Sequence, residues 1–194
     1  MGILDTVQRI DEFLLWLLNV KLTAGFLDQF MPWITDPGNF KLPLLIVIVL
    51  LLVFGRPRDR WTILLCIVAL AISNFFVENL KHTFERIRPC HEFDWVRTLR
   101  GCGRTYSMPS GHTANIFAVM GVLSVRYRRL RYPFLLFALL IGWSRVYVGV
   151  HYPTDVLAGI ALGIGVAWVV LFSDKRLTPH LKEWLKGLKK RLKR

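Results

Sequence analysis

The chain has 194 residues, 54% of them hydrophobic, a positive mean hydropathy and a formal net charge of +13. Soluble domains seldom combine these values, so an ordinary soluble fold is excluded and a membrane protein with basic margins is expected. Such basicity also suits nucleic-acid binding, but the charges fall between apolar runs, and no nucleic-acid partner is expected.

Residues 3 to 18 place Ile3, Val7, Ile10, Leu14 and Leu17 at helical spacing, with Asp5, Gln8, Arg9, Asp11 and Glu12 elsewhere. That pattern predicts an amphipathic helix lying in the membrane interface. These early charges lack the basic start, apolar core and small-residue site of a cleaved signal peptide. Residues 22 to 39 are broken by Gly25, Pro32, Pro37 and Gly38 and are expected to stay at the same surface. Five apolar runs follow, at about 40 to 55, 61 to 80, 110 to 126, 133 to 150 and 155 to 173. Several are shorter than the ~20 residues that cross a bilayer, so their ends must extend into polar flanks. In the last run Gly159 and Gly163 form a small-xxx-small pair, which permits close helix contact and hints at self-association. Leu181, Leu185, Leu188 and Leu192 share one face of a lysine-rich tail, as in a helix lying on an anionic leaflet. The expected fold is therefore all-α: an integral membrane bundle of about five transmembrane helices with amphipathic interfacial helices at both termini. It forms a single domain, 1-194, in which 1-39 is interfacial, 40-173 is the bundle and 174-194 is a basic tail.

The loops set the orientation. Arg56, Arg58 and Arg60 occupy one connection, Arg126, Arg128, Arg129 and Arg131 another, and nine basic residues follow from Lys175. The positive-inside rule assigns all three to the cytoplasm. The amino terminus, the 81-109 loop and the 150-154 turn then lie together outside. Of the three cysteines, Cys66 sits in an apolar run, whereas Cys90 and Cys102 share the external loop and could pair in an oxidising compartment. That loop also carries Lys81, Arg86, Arg88, Arg97, Arg100 and Arg104, an exception to the charge rule that a demand for positive charge in the site would explain.

Three polar groups stand at span ends on this side. In "KHTFERIRP" Lys81 and Arg88 are seven residues apart, which predicts two helical turns and a shared face before Pro89, with Asn74, Glu78 and Glu85 extending it. Glu78, one turn before Lys81, is a candidate for fixing that lysine. In "MPSGHT" Pro109 and Ser110 suit a helix start, and the backbone around Ser110, Gly111 and His112 offers N–H donors to an anion. In "SRVYVGVHYPTD" Arg145 falls within a span, where an unpaired guanidinium is costly and implies a partner. Ser144 precedes it, and Pro153 turns the chain into a helix that begins near Asp155. Each group alone is compatible with an ordinary helix end. Together they supply three cations, neutral donors, two histidines and a carboxylate partner, which is what phosphoryl transfer requires.

The pattern K-x6-RP, PSGH and SR-x5-H-x3-D, filled by Lys81, Arg88, Pro89, Pro109, Ser110, Gly111, His112, Ser144, Arg145, His151 and Asp155, resembles the type 2 phosphatidic acid phosphatase family, relatives of the vanadium haloperoxidases. The resemblance implies that His151 attacks phosphorus, Asp155 orients it, and His112 protonates the leaving oxygen and then activates water. Lys81, Arg88, Ser110, Gly111 and Arg145 would hold the phosphate. It implies no metal and no cofactor, and the sequence has no zinc-ligand pattern. The implied partner is a phosphorylated lipid in the bilayer of a bacterial inner membrane, with the site facing the periplasm or cell exterior and the C-terminus cytoplasmic. Small members of the family act on lipid A at its 1-phosphate, on undecaprenyl diphosphate or on phosphatidylglycerophosphate, and the first two present their phosphates outside. A transporter would explain the intramembrane charges but wants interrupted half-helices, and a noncatalytic lipid-binding protein would not require both histidines.

Overall fold

The computed structural model describes residues 2–191, with the backbone alone for Ile3, Leu4 and residues 179–191. The side chains of the expected leucine face, Leu181, Leu185, Leu188 and Leu192, lie outside the described residues. The described residues contain no strand. Helix α1 (Ile3–Trp16) runs on through a π-helical turn, Leu17–Lys21, and is followed by α2 (Gly25–Ile34), α3 (Pro37–Phe54), α4 (Pro57–Phe84), the short α5 (Pro89–Glu92), α6 (Gly111–Arg126), α7 (Arg131–Tyr147) and α8 (Pro153–Arg191).

The starts of α3 and α4 follow from local chemistry. Pro37 and Pro57 occupy first helical positions, where no N–H is needed. Asp36 accepts from the Gly38 N–H at 2.8 Å, and Asp59 accepts from the Arg56 N–H at 3.0 Å. Three stretches are long and apolar enough to cross a membrane: α3, the run beginning at Pro57, and Pro153–Thr178 of α8. Helix α3 buries no side chain, which leaves its apolar surface for lipid. Helix α4 buries Thr62, Leu65, Ala69, Ser73, Val77 and Lys81, a stripe at helical spacing.

The bundle centre is α4, α6 and α8, where Leu65, Ala69, Ala118, Val122, Val166, Ala167 and Val170 pack together. Lipid tails are as apolar as leucine, so close van der Waals contact rather than water exclusion holds such helices. Gly159 and Gly163 make that contact possible. A Cβ on Gly159 would stand 2.7 Å from the Ser110 carbonyl oxygen, and one on Gly163 would stand 2.5 Å from that of Ala114. The pair is spent on α6 of the same chain.

The basic connections meet at one end. Arg58 donates to the Arg126 carbonyl, Arg126 pairs with Asp174 at 3.1 Å, Trp61 donates to Asp174 at 2.7 Å, and Tyr127 donates to Asp59 at 2.8 Å. The other end collects α1, α2, the segment 85–110 and the turn before α8. There Asn19 donates to the Tyr147 carbonyl at 2.7 Å, and Arg97 pairs with Asp28 at 2.6 Å. Cys90 and Cys102 are joined by a disulfide within this end.

One expectation is corrected. The helix carrying Lys81 does not continue to Pro89: α4 stops at Phe84 because Glu85 adopts a left-handed conformation (φ 44°), so Lys81 and Arg88 do not share a helical face. The polar side of α1 is not uniformly presented to water. Asp11 is fully buried against the bundle, whereas Val7, Ile10 and Phe13 are exposed.

Candidate active site

The site is assembled by chain reversals at the ends of four helices. At the end of α4, the Glu85 N–H donates to the Lys81 carbonyl at 2.9 Å. The left-handed turn then swings Arg86 and Arg88 out of the helix and across the bundle. Between α7 and α8, Gly149 takes φ 80°, a conformation that favours glycine, and the turn delivers His151 inward. Ser110 stands immediately before α6, and its N–H donates to the Asp155 carbonyl at 3.0 Å, fixing the start of α6 against the start of α8.

Lys81, Arg88 and Arg145 are respectively 8%, 7% and 8% exposed. Lys81 Nζ lies 3.4 Å from Glu78 Oε1 and 3.3 Å from Thr105 Oγ1. Glu78 itself is exposed. Arg88 donates from Nε to the Thr105 carbonyl at 2.7 Å, from Nη1 to the Val150 carbonyl at 3.1 Å and from Nη2 to Thr105 Oγ1 at 3.2 Å. Arg145 donates to Thr35 Oγ1 at 2.7 Å, and its Nε has no partner among the described residues. Among those residues neither arginine pairs with a carboxylate. Burying guanidinium charge without a counter-ion is costly, and an anion would offset that cost.

His151 is more enclosed than the three cations, and only Asp155, Ser110 and Ser144 among the candidate groups are more buried. Its Nε2 lies 3.2 Å from Arg88 Nη1, and its Nδ1 lies 3.5 Å from Asp155 Oδ2. A guanidinium only donates, so Nε2 must be the acceptor and the ring proton sits on Nδ1, towards Asp155. Burial, opposed by the bond to Asp155 and reinforced by the nearby Arg145 and Arg88 charges, pushes the imidazole down to about 4. The ring is therefore neutral at pH 7, with its Nε2 lone pair directed at the Arg88 guanidinium.

Asp155 also accepts from the Tyr152 N–H at 2.8 Å, from Ser107 Oγ and from Arg86 Nη1 at 2.9 Å. It therefore caps its own helix as well as facing the histidine. Arg86 in turn pairs with Asp11 at 2.7 Å and stacks over the Tyr152 ring at 3.8 Å. Burial opposes the Arg86 charge, but Asp155 and Asp11 outweigh it and hold the guanidinium above its ordinary value. Asp11 Oδ1 accepts from the Thr154 N–H at 2.9 Å, which places a carboxylate at the positive end of α8.

His112 is exposed on the first turn of α6. Gly111 begins that helix against Val77. Ser110 Oγ accepts from Thr113 at 3.0 Å, and Ser144 Oγ turns back to the Ile141 carbonyl at 2.6 Å. Among the described residues no three His, Cys, Asp or Glu side chains cluster as a metal site.

Sequence reasoning did not single out Arg86, Asp11, Ser107, Thr105 or Thr35. Arg86 lies in the stretch between Lys81 and Arg88 that the K-x6-RP pattern leaves unspecified, and Asp11 looked like one polar residue of an interfacial helix. The partners of Arg86 and Asp11 are 68 to 143 positions away along the chain, and no local pattern announces such contacts.

Comparison with known proteins assigns the family. Phosphatidylglycerophosphatase B of Bacillus subtilis (strain 168) is 30% identical over 186 residues, covering 89% of this chain and 87% of that protein. The undecaprenyl-diphosphatase BcrC of the same organism is 30% identical over 152 residues, 76% of each protein. The crystal structure of Aquifex aeolicus LpxE matches with a TM-score of 0.70 at 29% identity, covering 84% of this chain and 94% of that one. Residues 61–178, which hold both histidines and every buried cation described above, match the model of the PAP2 superfamily. The chain belongs to that superfamily and is an integral membrane enzyme, a lipid phosphatase.

Proposed function

We propose that the protein removes phosphate from a phosphorylated or diphosphorylated lipid by a metal-independent, two-step route through a phosphohistidine. The observation that carries this reading is the state of His151: a neutral ring whose Nε2 lone pair is held 3.2 Å from Arg88 while its protonated nitrogen faces Asp155. In the first step Nε2 bonds to phosphorus, the phosphorus–oxygen bond to the lipid breaks, and His112 gives its proton to the leaving oxygen. Asp155 stabilises the positive ring that forms, the part an acid plays behind a catalytic histidine. In the second step His112 takes a proton from water, the hydroxide attacks phosphorus, and the P–N bond breaks to release inorganic phosphate and restore His151. Lys81, Arg88 and Arg145, with the donors at Ser110 and Gly111, hold the equatorial oxygens as charge spreads over them. Glu78 steadies Lys81, and Ser144 supports the helix that carries Arg145.

The chain works as a single domain with five spans, α3, α4, α6, α7 and α8, while α1 and α2 lie in the interface. The arginine-rich end faces the cytoplasm and the site faces the periplasm of a bacterial inner membrane. A disulfide beside the site agrees with that side, since such bonds persist in oxidising compartments. Lipid A 1-phosphate and undecaprenyl diphosphate, which present phosphate there, are the favoured substrates. Phosphatidylglycerophosphate is the second reading, supported by the likeness to phosphatidylglycerophosphatase B over most of the chain. Purified protein in detergent, with and without chelator, is assayed for phosphate release from these three lipids and phosphatidic acid. Chelator-resistant release from at least one supports the proposal, whereas release from none would contradict it.

A further inference from the structure

A second polar feature sits below the phosphate-binding groups, in the groove between α4 and α6. Asn115 Nδ2 donates to Asn74 Oδ1 across the two helices at 2.6 Å. Asn115 Oδ1 is buried and has no hydrogen-bond partner among the described residues. Asn74 is exposed, as are Glu78 on the same helix and His112 on the facing one. Both asparagines belong to helices that run through the bilayer, where an unsatisfied amide is expensive. A purely structural pair would be expected inside the bundle, yet this one opens to the surroundings.

Its position relative to the chemistry is what gives it meaning. Helix α6 starts at the site and runs away from it, so Asn115 lies one turn, about 4.5 Å, deeper than His112. Helix α4 runs towards the site, so Asn74 lies two turns below Lys81 and one turn below Glu78. In the proposed reaction His112 protonates the oxygen that leaves with the lipid. The atoms next along that lipid must descend into the bilayer from His112, past Asn115 and Asn74. Past the phosphate that a diphosphate keeps beside the leaving oxygen, a polyprenyl chain offers these amides nothing to bond. A leaving lipid with ester, amide or hydroxyl oxygens a few bonds from its phosphate can bond the exposed Asn74 amide N–H groups, which the bond to Asn115 leaves unused among the described residues.

Resting on the phosphatase reading, we infer that Asn74 and Asn115 form a recognition subsite for the polar portion of the leaving lipid. The pair thereby selects acylated substrates, built on glycerol or on sugar, over polyprenyl phosphates. The subsite contributes no charge, which distinguishes it from the cationic cluster above. It binds neutral oxygen- and nitrogen-bearing groups, not a second phosphate.

The test compares kcat/KM for phosphatidic acid, lipid A and undecaprenyl diphosphate in mixed micelles, for the wild-type protein and for Asn74→Leu, Asn115→Leu and Asn115→Ser. The inference expects the wild type to prefer at least one acylated lipid. It expects each leucine variant to lower the ratio of acylated to polyprenyl kcat/KM at least tenfold, chiefly through KM, and the serine variant to recover part of that ratio. Phosphatidic acid and lipid A separate a glycerol from a sugar origin of the selected group. An equal fall on all three lipids would assign the pair a structural role and overturn the inference, as would an unchanged ratio or a wild-type preference for undecaprenyl diphosphate. Release from none of the lipids by the wild type would remove the phosphatase reading itself, and the inference with it.

Discussion

The Arg86 guanidinium donates to Asp155 Oδ1 at 2.9 Å, and its other terminal nitrogen pairs with Asp11 on α1 at 2.7 Å. One half-buried arginine, bonded to two buried carboxylates, therefore ties the amino-terminal helix to the carboxylate behind the proposed nucleophile. Removing one partner of such a buried pair costs about 3–5 kcal/mol, because the other charge is left unpaired.

Arg86→Gln is expected to lower stability by that order and, in the protein that still folds, to leave the Asp155 charge less opposed. The imidazolium form of His151 then becomes easier to reach, so the acid limb of the pH–rate profile moves to higher pH. Asp11→Asn, which keeps the shape, is expected to lower kcat about tenfold while KM changes less than threefold. Thermal unfolding in detergent and steady-state kinetics check both variants. An Asp11→Asn protein with wild-type kcat would show that α1 is only packed against the site.

The acid behaviour of His151 gives a second expectation. An unfolded histidine protonates near 6.5, whereas burial brings His151 down to about 4 in the folded chain. The unfolded state therefore binds the proton more readily, and this group's contribution to stability is lost as pH falls from about 6.5 towards 4. Its nucleophilic form persists over the same window, so phosphoenzyme formation should hold down to about pH 4. Denaturation midpoints across that range, compared between wild type and His151→Gln, should show the wild type with the steeper loss.

The disulfide bounds the segment that presents Thr105 to Lys81 and Arg88. Replacing both Cys90 and Cys102 by serine is expected to cost about 2–4 kcal/mol of stability and to raise KM three- to tenfold, with kcat within twofold. Treating the wild type with reductant should reproduce the KM change and leave the double variant unaffected.

Glu85 holds φ 44°, where a side chain is disfavoured by about 1 kcal/mol and glycine is not. Glu85→Gly should therefore raise the unfolding temperature slightly and preserve activity, even though Tyr106 loses a hydrogen-bond partner. Glu85→Val should lower it, and a large loss of kcat would follow because Arg86 and Arg88 depend on this turn for their direction.

The contrast between these residues explains what was readable in the chain. The five apolar runs marked α3, α4, α6, α7 and α8 as helices, because length and apolar composition are written locally in the chain. The signature residues were readable because they stand at fixed spacings beside span ends. The end of α4 was not: Glu85 lacks the glycine, asparagine or proline that ordinarily marks a helix stop, so Lys81 and Arg88 looked like neighbours on a helix. Asp11 and Arg86 escaped because their meeting is a product of tertiary packing between distant segments. Cys90 and Cys102 were readable as a pair only on condition of their compartment, and Gly159 and Gly163 announced a close contact without saying with which helix.

The central claim is that His151 carries the phosphoryl group between lipid and water. The most direct measurement is rapid quenching of the protein with radiolabelled lipid phosphate under alkaline conditions, in the presence of chelator, followed by identification of the labelled residue. The account predicts an acid-labile phosphohistidine at His151, absent together with turnover in His151→Ala. Substantial turnover by His151→Ala, or turnover by the wild type only with an added divalent ion, would contradict it.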